Sequence, residues 1–165
     1  MHGLGNDYVY INCFQEQVED PQALAIAVSP RHTAIGADGL IMICPSDIAD
    51  VKMRMFNADG SEAQMCGNGI RCVAKYAYDH KISTTRGPYS VPGHQTFQDS
   101  LKIETLHGIL TVGLDIDQND KVIQACVNMG QPILNGQDIP VNLNLEPVVN
   151  EPLEINGSEL IMTCV

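Results

Sequence analysis

The chain has 165 residues, 44% of them hydrophobic and 18% charged, with a formal net charge of −11. That length suits one medium domain or one and a fraction, and the apolar share is enough for a core. The acidic balance argues against nucleic acid and anionic membrane surfaces as partners, since both attract basic patches. No apolar run reaches the roughly 18 residues needed to span a bilayer. The opening "MHGLGNDYVY" lacks the basic region and apolar stretch of a secretory signal, so the expected compartment is the cytoplasm.

In chain order, "HGLGNDYVYINCF" reads as a glycine-rich turn running into a strand around Tyr8 to Ile11. Asp20 followed by Pro21 reads as an N-cap and first helical position. Leu24, Ala25 and Val28 give the helical spacing, and Pro30 ends it. The apolar run Leu40 to Cys44 predicts a buried strand. Val51, Met53 and Met55 alternate with Lys52 and Arg54, the pattern of a strand with one face buried. "NADGSE" is a turn. From Gly69 the period changes: Ile70, Val73, Ala74 and Ala77 predict a helix to about Asp79. Residues 83–100 hold two Pro/Gly pairs and little periodicity, and read as a long mobile loop. Leu101 to Leu114 then reads as a hairpin and Val122 to Val127 as a strand. The runs flanking Asn156-Gly157 read as a second hairpin. Many strands with two helices give an α+β class. The chain stops in a strand, which raises the expectation of a fragment.

Six cysteines are present, at positions 13, 44, 66, 72, 126 and 164. Without a secretion signal, reduced thiols are expected rather than disulfides. None forms a CxxC pair, and Cys66 and Cys72 would face different sides of a helix, so no metal site is expected. Cys66 differs from the others because it lies in "MCGNGIRC", where a helix begins. Unpaired backbone N–H groups there favour negative charge, Gly67 and Gly69 allow close approach, and Asn68 adds a side-chain donor. This turn can hold a thiolate, a substrate carboxylate, or both. The bland alternative is a small buried cysteine with glycines that merely make a turn. Asn6 in "GLGND", Asp38 in "GADG" and Asn57 in "FNADG" also lie in glycine-flanked turns, where each can serve its own turn through an Asx hydrogen bond. Arg31-His32 precede the "TAIGADG" turn, where a lone histidine is more often structural. "GLGND" lacks the preceding strand and third glycine of a dinucleotide fingerprint.

Taken together, "MHGLGNDYVYIN", "RHTAIGADGL", "MRMFNADGSEAQMCGNGIRCVAKY" and "VNMGQP" resemble, in order and spacing, the motifs of the diaminopimelate epimerase family. The resemblance covers most of residues 1–130. It implies an α+β fold in which a mixed sheet wraps a central helix, with a first domain at 1–117 and the opening of a truncated second domain at 118–165. It also implies cofactor-independent epimerisation of LL- to meso-diaminopimelate, in lysine biosynthesis, by two cysteines flanking the substrate α-carbon. Cys66 matches the first of these. Asn6, Asn57, Gly67 and Asn68 match substrate contacts. The implied partners are the amino-acid substrate and either a second copy or a complementing C-terminal half; no cofactor or metal is implied.

The family's "GNPH" and "CGTG"-like motifs, the latter with the second cysteine, and the Glu-Arg pair before it do not occur. Cys126 and Cys164 lie in other contexts and are not promoted. Many members carry Gln where this chain has Gly39. The 83–100 segment looks longer than the family's. Two other readings stay open: a related cofactor-independent racemase of the proline type, and a non-catalytic fragment acting as a binding module. With one cysteine, the isolated chain is expected to be inactive.

Overall fold

A computed structural model describes residues 1–83, 87–90, 95–143 and 145–165. The chain divides into two compact units, Met1–Met129 and Gly130–Val165.

The first unit opens with the short strands β1 (His2–Gly3) and β2 (Asn6–Asp7), followed by β3 (Val9–Asn12) and helix α1 (Pro21–Val28). Next come β4 (Gly39–Cys44), β5 (Val51–Asn57), β6 (Glu62–Ala63) and helix α2 (Gly67–Asp79). The remainder is β7 (Tyr89–Ser90), β8 (Thr96–Phe97), β9 (Asp99–Thr105), β10 (Gly108–Ile116) and β11 (Val122–Val127). One mixed sheet runs β11-β10-β9-β5-β4-β3, with β6 pairing on β5. The pairs β3/β4 and β5/β9 are parallel and the others antiparallel.

The two helices cover opposite faces of this sheet. Strand periodicity sends Ile41, Ile43, Val51, Met53 and Met55 to one face, where they pack with Ile70, Val73, Ala74, Ala77 and Tyr78 of α2. Leu40, Met42 and Phe56 turn to the other face and meet Ala25 of α1. That explains the unbroken apolar run in β4, which is buried from both sides. The helix α1 starts as the sequence predicts, with Asp20 accepting the Ala23 N–H at 3.0 Å. The architecture is α+β, as expected.

Two expectations meet a different structure. Residues 83–100 are not a plain loop: β7 pairs with β8, and β9 begins at Asp99. Phe97 is buried there, an anchor that Pro/Gly content hides. Residues 84–86 and 91–94, and with them the expectation of mobility, lie outside the described residues. The expected boundary at 117/118 also moves. The Val122–Val127 strand, read with the second domain, pairs with β10 through Val112↔Val127 and Leu114↔Ala125, and so belongs to the first unit. The polar run before it is the hairpin turn: Asp117 accepts the Asn119 N–H at 2.8 Å and the Lys121 N–H at 2.9 Å.

The second unit carries a hairpin of β12 (Glu151–Ile155) and β13 (Ser158–Met162). Asn156 (φ 51°) and Gly157 (φ 79°) supply its two positive-φ turn residues. No helix among the described residues is long and apolar enough to cross a membrane.

Candidate active site

The first turn of α2 is capped by a thiol. Cys66 has extended backbone (φ −137°, ψ 116°), and its Sγ accepts the Gly69 N–H at 3.3 Å. Sulfur thus occupies the place usually filled by a Ser, Thr, Asp or Asn oxygen. The Ile70 N–H bonds to the Cys66 carbonyl at 2.9 Å. The Gly67 and Asn68 N–H groups have no partner within the helix, by helix geometry. Gly69 has a packing reason as well, since a Cβ there would lie 2.5 Å from Ile41 Cδ1. The helix start therefore sits directly on β4, close enough for its N–H to reach the sulfur.

The thiol is also held from the N-terminal segment. Cys66 Sγ donates to Asn6 Oδ1 at 3.4 Å, and Asn6 Nδ2 donates to Asp38 Oδ2 at 2.7 Å. Asp38 Oδ2 accepts the Asp7 N–H at 3.1 Å, and its Oδ1 accepts Arg31 Nη2 at 2.7 Å. Arg31 also forks onto Asp7 at 2.7 and 3.2 Å and holds the Asp7 carboxyl below the usual carboxylate range. Tyr8 lies beside Cys66. Burial, then the nearby sulfur, pushes its phenol above the ordinary value, so it stays protonated.

Cys66, Gly67 and Asn68 open onto a cavity of about 590 Å³ that also reaches Arg71, Phe97 and Cys126. That size falls in the range of small-molecule sites, roughly 300–1,000 Å³. Met129 borders it, with its sulfur 3.7 Å from where a Gly67 Cβ would stand. Arg71 brings a guanidinium and bonds Asn68 Oδ1, which leaves the Asn68 amide nitrogen as that side chain's donor. A concave wall with free backbone amides, a guanidinium and a thiol is suited to an amino-acid carboxylate whose α-carbon lies beside sulfur.

The structure thus joins four of the five residues singled out in the sequence: Cys66, Gly67 and Asn68 on the cavity wall, and Asn6 on the sulfur. Asn57 is elsewhere. It ends β5, its Nδ2 donates to Ser61 Oγ at 3.0 Å, and it is not among the cavity's lining residues. Asn57 thus closes its own turn, through backbone bonds to Ser61 and Gly60 at 2.9 Å, while the Asx bond of that turn is made by Asp59 Oδ1, which accepts the Ser61 N–H at 2.9 Å. Sequence reasoning missed Arg71 and the link from Asp38; Cys126, considered there and not promoted, also lines the cavity. Arg71 lies four residues beyond Gly67 and three beyond Asn68, on the same face of α2, and that spacing was the available signal for it. Among the described residues, no group of three or more His, Cys, Asp or Glu is placed to hold a metal ion.

Residues 1–134 match the family model described as diaminopimelate epimerase. The chain belongs to the diaminopimelate epimerase family. Proteins named diaminopimelate epimerase align over all of it: 51% identity over 165 residues in Acetivibrio thermocellus, and 49% over 172 in Agathobacter rectalis. The Methanococcus maripaludis (strain C6) protein of that name is 46% identical over 165 residues. The alignments take in 54%, 55% and 54% of those relatives, so the chain spans about half the length of the curated relatives it matches. Among solved structures, a Bacillus anthracis phenazine biosynthesis protein of the PhzF family aligns at 19% identity and TM-score 0.48. It covers 73% of this chain and 36% of that one.

Proposed function

We propose that this chain forms one face of the active site of a diaminopimelate epimerase, interconverting LL- and meso-diaminopimelate without a cofactor. The observation that carries the reading is Cys66 at the head of α2, with free amides beside it and a cavity in front. In this reading the substrate carboxylate lies against the Gly67 and Asn68 amides and Arg71, which puts the α-carbon next to Sγ. As a thiolate, Cys66 removes the α-proton; as a thiol, it returns one in the reverse direction. Charge that builds on the carboxylate as the carbanion forms is met by N–H dipoles already in place. Asn6 orients the sulfur. Inversion needs a second acid/base on the opposite side of the α-carbon. The resemblance assigns this to a cysteine in a motif outside these 165 residues, so a complementing half is the expected partner.

The test is deuterium incorporation at the α-carbon of diaminopimelate, with this chain alone and with a polypeptide carrying the family's other half. Efficient exchange with inversion is expected only for the pair, and is lost in Cys66→Ala. Robust inversion by this chain alone, or full activity of the Cys66→Ala pair, overturns the reading.

A further inference from the structure

We propose that Asp38 is a positioning residue for Cys66, acting through the side-chain amide of Asn6. A primary amide has a donor end and an acceptor end of nearly the same shape, and the surrounding network decides which way it faces. An ionised carboxylate only accepts, so Asp38 Oδ2, 2.7 Å away, demands the Nδ2 end of Asn6. Oδ1 is then the end that faces Cys66 Sγ at 3.4 Å. Asp38 itself cannot turn away easily. Its Oδ2 also takes the Asp7 N–H, its Oδ1 takes Arg31, and Arg31 is forked onto Asp7. The result is a relay in which a surface ion-pair cluster fixes the sense of one amide, and that amide turns the S–H bond. With the amide reversed, an N–H would point at the sulfur and be available to its anion, alongside the Gly69 N–H already there.

Other titratable groups face or border the sulfur. They are Tyr8, Tyr10 of β3, Cys72 and Arg71 of α2, and Cys126 of β11 across the cavity. Of these, Tyr8 also meets the Asn6 amide, whose hydrogen bond lowers its phenol, but the short 2.7 Å bond from Nδ2 goes to Asp38, and the Asn6→Ala background removes both contacts together. The role of the sulfur rests on the proposed function, but the Asp38–Asn6–Cys66 relay is testable without turnover.

The experiment is a double-mutant cycle on the whole chain. Iodoacetamide alkylation of Cys66 is followed by peptide mass spectrometry as a function of pH in wild type, Asp38→Asn, Asn6→Ala and the double variant. Circular dichroism serves as the folding control. Asp38→Asn frees the Asn6 amide to turn, and the alkylation profile is expected to move to lower pH by on the order of one pH unit, the size of one hydrogen bond gained by an anion. In the Asn6→Ala background the same change should move the profile little. Equal shifts in both backgrounds would mean that the carboxylate acts through its field alone, and overturn the proposal. No shift in either would make Asp38 merely structural and would overturn it equally. If Asp38→Asn does not fold, Asn6→Ala alone decides: it removes the acceptor and should also move the profile to lower pH, and an unchanged profile refutes the relay. A relay confirmed without α-proton exchange in the paired halves would refute only the epimerase reading; exchange without the relay would refute only this proposal.

Discussion

Phe97 lies over Gly113: a Cβ at position 113 would stand 2.5 Å from Phe97 Cδ2 and 2.6 Å from Cγ. Gly113 is in the middle of β10, opposite Ser100 and Cys126 in the flanking strands. The ring fills the space that a side chain would take, and Phe97 is only 2% exposed. Gly113→Ala is therefore expected to destabilise the first unit by about 1–3 kcal/mol, the cost of overpacking a tight site. The measurement is the shift in urea midpoint. Because Phe97 also borders the Cys66 cavity, the substitution should change access to that thiol as well. A variant as stable as the parent would mean that the ring moves aside freely.

Asp79 ties the end of α2 to the outer strand. It accepts the Val122 N–H at 3.0 Å and Lys75 Nζ at 2.9 Å, with its side chain 14% exposed. Burial raises its carboxyl, but the Val122 N–H and Lys75 together outweigh burial and hold it below the ordinary 3.8. A carboxyl depressed on folding contributes stability that is fully present above its unfolded value and is lost as pH falls through its folded value. Asp79→Asn should cost about 1–2 kcal/mol at neutral pH, since hydrogen bonds to charged groups are the stronger ones. The gap between parent and variant should close as the pH drops below 3.8. Denaturation curves at neutral, mildly acidic and strongly acidic pH provide the check, and a gap that widens on acidification would refute the assignment.

Tyr10 presents the opposite case. Its hydroxyl is buried near the Cys72 thiol, yet it has no partner in hydrogen-bond geometry among the described residues. Burial first, then Cys72, pushes the phenol above its ordinary value, so it stays neutral. An unpaired buried hydroxyl costs free energy that a phenyl ring does not. Tyr10→Phe should leave stability unchanged or raise it by up to about 1 kcal/mol. A loss greater than that in thermal unfolding would reveal a hydrogen bond to the hydroxyl.

What the sequence revealed of this fold was what depends on near neighbours. The spacing of Ile70, Val73, Ala74 and Ala77 marks the buried face of α2, and all four are 0% exposed. Asn156-Gly157 marks a turn that does have two positive φ angles. The Thr96–Phe97 strand was hidden because distant groups hold it. Phe97 finds Gly113, Gln98 Oε1 accepts the Ile116 N–H at 3.0 Å, and Asp99 Oδ1 accepts the Gly87 N–H at 2.7 Å. The site divides in the same way. Cys66, Gly67 and Asn68 are consecutive and were legible as a helix start. Asn6 was singled out by its glycine-flanked turn, but only the resemblance placed it at the site. Asp38 looked like a turn residue because its partners, Asn6 and Asp7, arrive from a remote strand.

Cys44 makes a contrast with Cys66 that alkylation can read directly. Burial in the sheet pushes the Cys44 thiol up to about 12, and the neighbouring Cys13 adds to the effect. Against the ordinary value of 9.0, this leaves on the order of a thousandfold less thiolate in mildly alkaline buffer, and thiolate is the form that reacts. Iodoacetamide should therefore label Cys44 far more slowly than a free cysteine in the same tube. The order of causes is testable too. Cys13→Ala removes the neighbouring thiol but leaves the sheet in place, so Cys44 labelling should rise only modestly. Full recovery of a free-thiol rate would mean that the paired sulfurs, and not burial, suppress the reaction. A fast rate in the parent chain would mean that Cys44 is open to solvent at the edge of β4.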